Sequence, residues 1–98
     1  MKLTIQSIHF DADRKLTGFV TQKISKLNTF FDHIVDTQVY LKLEKNKQEG
    51  NKVVEIKVNV PSNTLLGTQR AKSFEEATDL CIEQMKKQIK RYKEKIRA

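Results

Sequence analysis

Leu3 and Ile5 alternate with Lys2, Thr4 and Gln6, and a period of two predicts a half-buried strand over residues 2–8. The period then lengthens. From Arg14 to Ile34 the residues Leu16, Phe19, Val20, Ile24, Leu27, Phe30, Phe31 and Ile34 recur at three- and four-residue spacing, the single apolar stripe of an amphipathic helix, which Asp13 can cap. Alternation returns from Val35 to Lys45, with Val39, Leu41 and Leu43 on one face and Gln38, Tyr40, Lys42 and Glu44 on the other. The polar stretch Asn46 to Asn51 holds Gly50 and reads as a hairpin turn. It leads into Val54, Ile56, Val58 and Val60, which alternate with Glu55, Lys57 and Asn59. Pro61, Ser62 and Asn63 make the next turn. A weaker strand follows at Thr64 to Lys72, with Leu65 and Gly67 inward and Arg70 and Lys72 outward.

Ser73 followed three residues on by Glu76 is a capping box, in which the hydroxyl and the carboxylate satisfy amides at a helix start. The helix it opens carries Phe74, Thr78, Cys81, Met85, Ile89, Tyr92 and Ile96 on one stripe and runs towards the C-terminus. The order is therefore β-α-β-β-β-α. The connection through the first helix places strand one parallel to strand two, by the right-handed crossover rule, and hairpins add the third and fourth strands. Only one face of the middle strands is apolar, so both helices must cover it. The fold class expected is α+β, a four-stranded mixed sheet with two helices packed on one face, resembling a double-stranded RNA-binding domain. Residues 1–98 are read as one domain, without repeats, linkers or low-complexity segments.

Composition narrows the classes of function. In 98 residues, 38% are hydrophobic and 32% charged, which suits one small core and leaves little room for a large enzyme pocket. A lone cysteine makes no internal disulfide, so a reducing cytoplasm is expected. The opening MKLTIQSIHF is interrupted by polar residues, unlike a signal peptide, and no run approaches the ~20 apolar residues that span a bilayer. His9 and His33 lie a whole helix apart, and no Cys or carboxylate stands at metal-ligand spacing beside them. Cys81 falls on the apolar stripe at mid-helix, where a small buried thiol belongs and nothing would activate it. Gly18, Gly50 and Gly67 are isolated, so no phosphate-cradling loop is present. No enzyme activity, metal or cofactor is expected.

The distribution of charge adds more. Lys and Arg number 19 against 12 Asp and Glu, a net charge of +7. Up to Met85 the signs nearly balance; Lys86 to Arg97 then holds seven basic residues against Glu94 alone. Such a block can be a solubilising tail, a complement to the negative end of the helix dipole, or a footprint for a polyanion, most commonly nucleic acid. On the first helix Lys15 and Lys26 flank the stripe on the side of Phe19 and Phe30, while Lys23 projects close to the stripe, where it must snorkel or reach a partner. On the second, Lys86, Lys90, Lys93 and Arg97 share one flank, and Lys87 and Arg91 take the other. Two neighbouring helices can so present a continuous basic ridge to phosphates. Tyr40 is the one aromatic residue at an outward strand position, too few for a sheet that stacks bases. Backbone and shape recognition of folded RNA is the contact mode expected.

These features together resemble a known family. The element order, the segment Lys23-Ile24-Ser25-Lys26-Leu27-Asn28-Thr29-Phe30-Phe31-Asp32 and the basic run from Cys81 to Lys95 are similar to the ribosome hibernation-promoting factors, also called the ribosome-associated inhibitor or sigma-54 modulation family. The resemblance covers essentially the whole chain. It implies binding to the small ribosomal subunit and its rRNA, in the channel where messenger and the A-site and P-site tRNAs sit, and inhibition of translation by occlusion in stress or stationary phase. Matching the basic positions residue by residue implies rRNA contacts from Lys23 and Lys26 on helix one and Lys86, Lys87, Lys90, Arg91 and Lys93 on helix two. It further implies a short form, without the C-terminal dimerisation domain of longer members, and a monomer when free. Where members commonly carry Asp-Met-Tyr at the start of helix two, this chain has Ser73-Phe74-Glu75. Two other classes remain open: a double-stranded RNA-binding module, whose order is this one without its first strand, and a small protein-interaction domain.

Overall fold

The computed structural model describes residues 2–45 and 50–97. They form β1 (Lys2–Ile8), α1 (Arg14–Phe30), β2 (Asp36–Leu43), β3 (Lys52–Val60), β4 (Asn63–Ala71) and α2 (Phe74–Arg97), the order and types that the apolar periods predict. The strands lie side by side as β1-β2-β3-β4. β1 pairs in parallel with β2 because α1 returns the chain to the end at which β1 began, whereas the β2-β3 pair is antiparallel and the short turn at Pro61 and Ser62 makes the β3-β4 pair antiparallel too. Most of the turn expected at Asn46 to Asn51 lies outside the described residues.

The register aligns one inward row across the sheet: Ile5 opposite Val39, Val39 opposite Ile56, Ile56 opposite Gly67. Over this face, Val20, Ile24 and Leu27 of α1 and Cys81, Met85 and Ile89 of α2 join Val39, Leu41, Ile56 and Val58 in a single buried cluster. Both helices therefore share one side of the sheet, and each fully buried aliphatic side chain contributes roughly 1.5–3 kcal/mol by leaving water. At Gly67 the fit is tight. A β-carbon there would lie 2.7 Å from the Met85 sulfur and 3.0 Å from the Gln84 side-chain amide oxygen, so any larger residue would have to push these two α2 side chains aside.

Local chemistry sets where the helices begin and end. The Asp13 carboxylate accepts from the Leu16 amide at 2.8 Å, and the Ser73 hydroxyl accepts from the Glu76 amide at 3.1 Å, each satisfying a donor that the first helical turn leaves unpaired. α1 stops at Phe30, four residues before the end that its apolar spacing predicts. Phe31 is already extended, with φ −150° and ψ 115°, although its amide still reaches the Leu27 carbonyl. Ile34 is buried but lies beyond the helix, reached through a turn at Asp32 and His33; its place in the three-four spacing is a coincidence of two different ways of burying a side chain. The stripe of α2 likewise frays, because Ile96 is 57% exposed.

Side by side on that face, α1 and α2 run in the same direction. Phe10 stacks on Phe74 near the two helix starts, with ring centroids 4.6 Å apart, and the edge of Phe31 meets Tyr92 near the two helix ends at 5.8 Å. The uncovered sheet face carries Gln38, Tyr40, Lys42, Glu55, Lys57, Thr68 and Arg70, with Arg70 paired to Glu44 and the Tyr40 hydroxyl bonded to Gln38. Tyr40 is indeed outward, and it is the single aromatic ring on that face among the described residues.

Candidate nucleic-acid interface

Parallel helices bring like ends together, so charge that is segregated along each helix is segregated across the molecule. α2 opens with Glu75 and Glu76 in its first turn and ends in the basic block, the polarity that the helix dipole favours. At the acidic end, Lys15 lines a cleft with Phe10, Asp11, Asp13 and Glu75. It is thereby separated from the basic block and does not join the ridge.

Lys23 and Lys26 lie further along α1, beyond Arg14 and Lys15 in its first turn. The Lys23 ammonium lies 3.1 Å from the Asp79 carboxylate on α2, with 27% of its side chain exposed, and 5.3 Å above the Phe19 ring. The lysine that had to snorkel or find a partner does both: its stem covers apolar surface and its head bridges the helices. Lys26, one turn on, is exposed. Across the groove, the Lys93 ammonium sits 5.0 Å above the Phe30 ring and 3.5 Å from the Phe30 carbonyl oxygen. Residues three, four and seven apart share a helix flank, which puts Lys86 and Lys90 on the side of Lys93. Lys86 lies 3.5 Å from Glu83. The structure thus gathers Lys23, Lys26, Lys86, Lys90 and Lys93 along one interhelical face.

Lys87 and Arg91 are on the opposite flank of α2. There they line a cleft of about 360 Å³ against Asn63 and Leu65 of β4, with Gln84 and Lys95 beside them. Gln88, between them, donates to the Leu66 carbonyl at 2.6 Å, which holds this flank of α2 against the edge of the sheet. The basic block is therefore two faces of one helix, not a single row. Among the described residues, no ion pair involves Lys26, Lys87, Lys90 or Arg91, so four cationic heads are left to solvent or to a partner. The side chain of Arg97, expected on the flank of Lys86, lies outside the described residues. Two contributors escape the sequence reading. Asp79 neutralises part of Lys23, and Lys95 completes a row with Lys87 and Arg91 at steps of four, a signal that the spacing alone carries.

This arrangement offers point charges to an anionic backbone, and the rest of the molecule supplies little else. Among the described residues, no group of three or more His, Cys, Asp or Glu could hold a metal ion, and no helix is long and apolar enough to cross a membrane. Cys81 is buried, and loss of hydration pushes its thiol from 9.0 up to about 12; the charge of Glu55 adds to the rise and a backbone hydrogen bond at Ile56 opposes it. Such a thiol is inert at neutral pH.

Comparison with known proteins agrees with the fold. A curated ribosome hibernation promoting factor of Pseudomonas putida is 26% identical over 95 residues, covering 97% of this chain and 89% of that protein. One from Klebsiella oxytoca is 27% identical, covering 99% and 98%, and the chain spans 50% of the longer ribosome hibernation promotion factor of Bacillus subtilis, at 27% identity. Among solved structures, a ribosomal subunit interface protein from Coxiella burnetii superposes with a TM-score of 0.85 at 19% identity, over 95% of this chain and 98% of that one. The family model described as Sigma 54 modulation protein / S30EA ribosomal protein matches residues 3–97, and a match of that extent on this fold places the chain in that family.

Proposed function

We propose that this protein is a ribosome hibernation factor that binds the small ribosomal subunit through rRNA phosphates, occupies the channel used by messenger and tRNA, and inhibits translation without catalysis. The observation that carries the reading is the convergence of Lys23 and Lys26 of α1 with Lys86, Lys90 and Lys93 of α2 on one face, while Lys87 and Arg91 extend the charge to the other flank of α2. Relatives named as ribosome hibernation promoting factors support the ribosomal partner. Among the described residues the open sheet face carries no aromatic platform, which favours backbone recognition over base reading there. On this reading the protein works in the cytoplasm, where its partner is. The acidic first turn of α2 argues against a double-stranded RNA-binding module, which needs cations at the start of its final helix.

Adding the protein to a cell-free translation system should reduce synthesis in proportion to occupancy of small subunits. Association with isolated subunits should weaken steeply with salt, at a log-log slope of roughly −0.7 to −0.9 per phosphate contacted. Inhibition that is insensitive to salt, or none at subunit saturation, would reject the proposal in favour of a protein-protein contact.

A further inference from the structure

Beyond the basic flanks, the molecule has a second feature at the same end that phosphate binding does not explain. Where α1 and α2 finish, a cleft of about 540 Å³ is lined by Phe31, His33, Pro61, Tyr92, Lys95 and Ile96. Its walls are rings in fixed relation. Phe31 meets His33 edge-on at 5.4 Å and Tyr92 edge-on at 5.8 Å, and the Tyr92 hydroxyl donates to the Pro61 carbonyl at 2.7 Å, which pins that ring against the β3-β4 turn. His33 keeps 69% of its side chain exposed, with Asp32 3.5 Å away, and Ile96 is 57% exposed. Phe31 belongs to the core and anchors the cleft floor, whereas His33 and Ile96 bury little. Lys95 lines both this cleft and the neighbouring one that holds Lys87 and Arg91, so the aromatic walls continue directly into a row of cations.

We propose that this cleft receives one unpaired nucleobase of single-stranded RNA, stacked against His33 and Tyr92, with the adjoining phosphate on Lys95. The proposal rests on the RNA-binding reading above and deepens it, adding a base contact to a surface so far read as contacting only backbone. A planar ring with a flanking negative charge matches a slot of aromatic walls with a cation at its rim, and base-aromatic stacking tolerates any base because each has a π-face. Charge complementarity selects this occupant: a second copy of the chain would bring its own basic end against Lys95, and an apolar peptide would leave the cation unused.

The test compares two single-stranded five-nucleotide RNAs of equal phosphate number, one with bases and one abasic, by NMR of the isotopically labelled chain. The base-bearing RNA should shift the ring signals of His33 and Tyr92 and bind about five- to tenfold more tightly than the abasic one. His33→Ala should remove most of that advantage while leaving affinity for the abasic RNA unchanged. Equal affinities, with shifts confined to lysines, would overturn the base site and leave the phosphate surface standing. Binding of neither RNA would overturn both readings. Ring shifts that depend on protein concentration without RNA would identify the occupant as a second copy and also overturn the proposal.

Discussion

Cys81 shows how much a single position on the apolar stripe of α2 determines. It has no exposed surface, and burial holds its thiol neutral up to about pH 12. In the unfolded chain the thiol ionises at about 9.0, so above that pH the unfolded state sheds a proton that the folded state keeps. Folding stability must then fall as pH rises from 9.0 towards 12, by at most about 1.4 kcal/mol per pH unit from this group, and be insensitive to it below. Urea unfolding of the wild type and Cys81→Ala at pH 8, 9.5 and 10.5 isolates this contribution from the other titrating groups; the difference between them should shrink or reverse as the pH rises. Gly67 makes the opposite demand, for space. Gly67→Ala pushes a methyl against Met85 in a closed core and should cost about 1–3 kcal/mol in chemical denaturation. The first of these residues is legible in sequence, because a cysteine on a helical stripe is a buried thiol. The close approach at Gly67 is not, since it depends on how deeply α2 settles on β4.

At the scale of elements, apolar periods locate all six, and the two caps locate both helix starts. They err where burial continues without helical geometry, as at Ile34. They also leave open which flank of each helix meets its neighbour, and the candidate interface depends on that: packing removes Lys15 to the acidic end and divides the basic block between the α1 side and the β4 side of α2. The contact between Lys23 and Asp79 gives a test at this scale. As a partly exposed pair it contributes less than about 1 kcal/mol to stability, but it occupies a cation that the proposed interface uses. Asp79→Asn should therefore leave the unfolding midpoint nearly unchanged while tightening RNA binding severalfold. Glu75→Gln, which alters net charge equally at the distant acidic end, should tighten it less. Equal effects from the two variants would mean that Lys23 takes no part and that overall charge alone acts.

For the whole molecule, a net charge of +7 matters less than its placement. The chain is elongated, 45 × 23 × 18 Å, with helices that run in parallel and concentrate acidic groups at one end and cations at the other. A field of that shape orients the molecule as well as attracting it, so the basic end of α2 leads into a polyanionic site. The family and the fold are visible in element order and in the segments around Lys23 and Lys86. The division of the cations into two faces becomes visible only when the helices are packed. The most direct measurement is cosedimentation with purified small ribosomal subunits, for the wild type and for a variant in which Lys86, Lys87, Lys90 and Arg91 are all changed to Glu. All four lie off the buried stripe, so circular dichroism and the unfolding midpoint should stay close to wild type. The account predicts that the wild type travels with the subunit and the variant stays at the top of the gradient. A folded variant that still sediments with the subunit would contradict it.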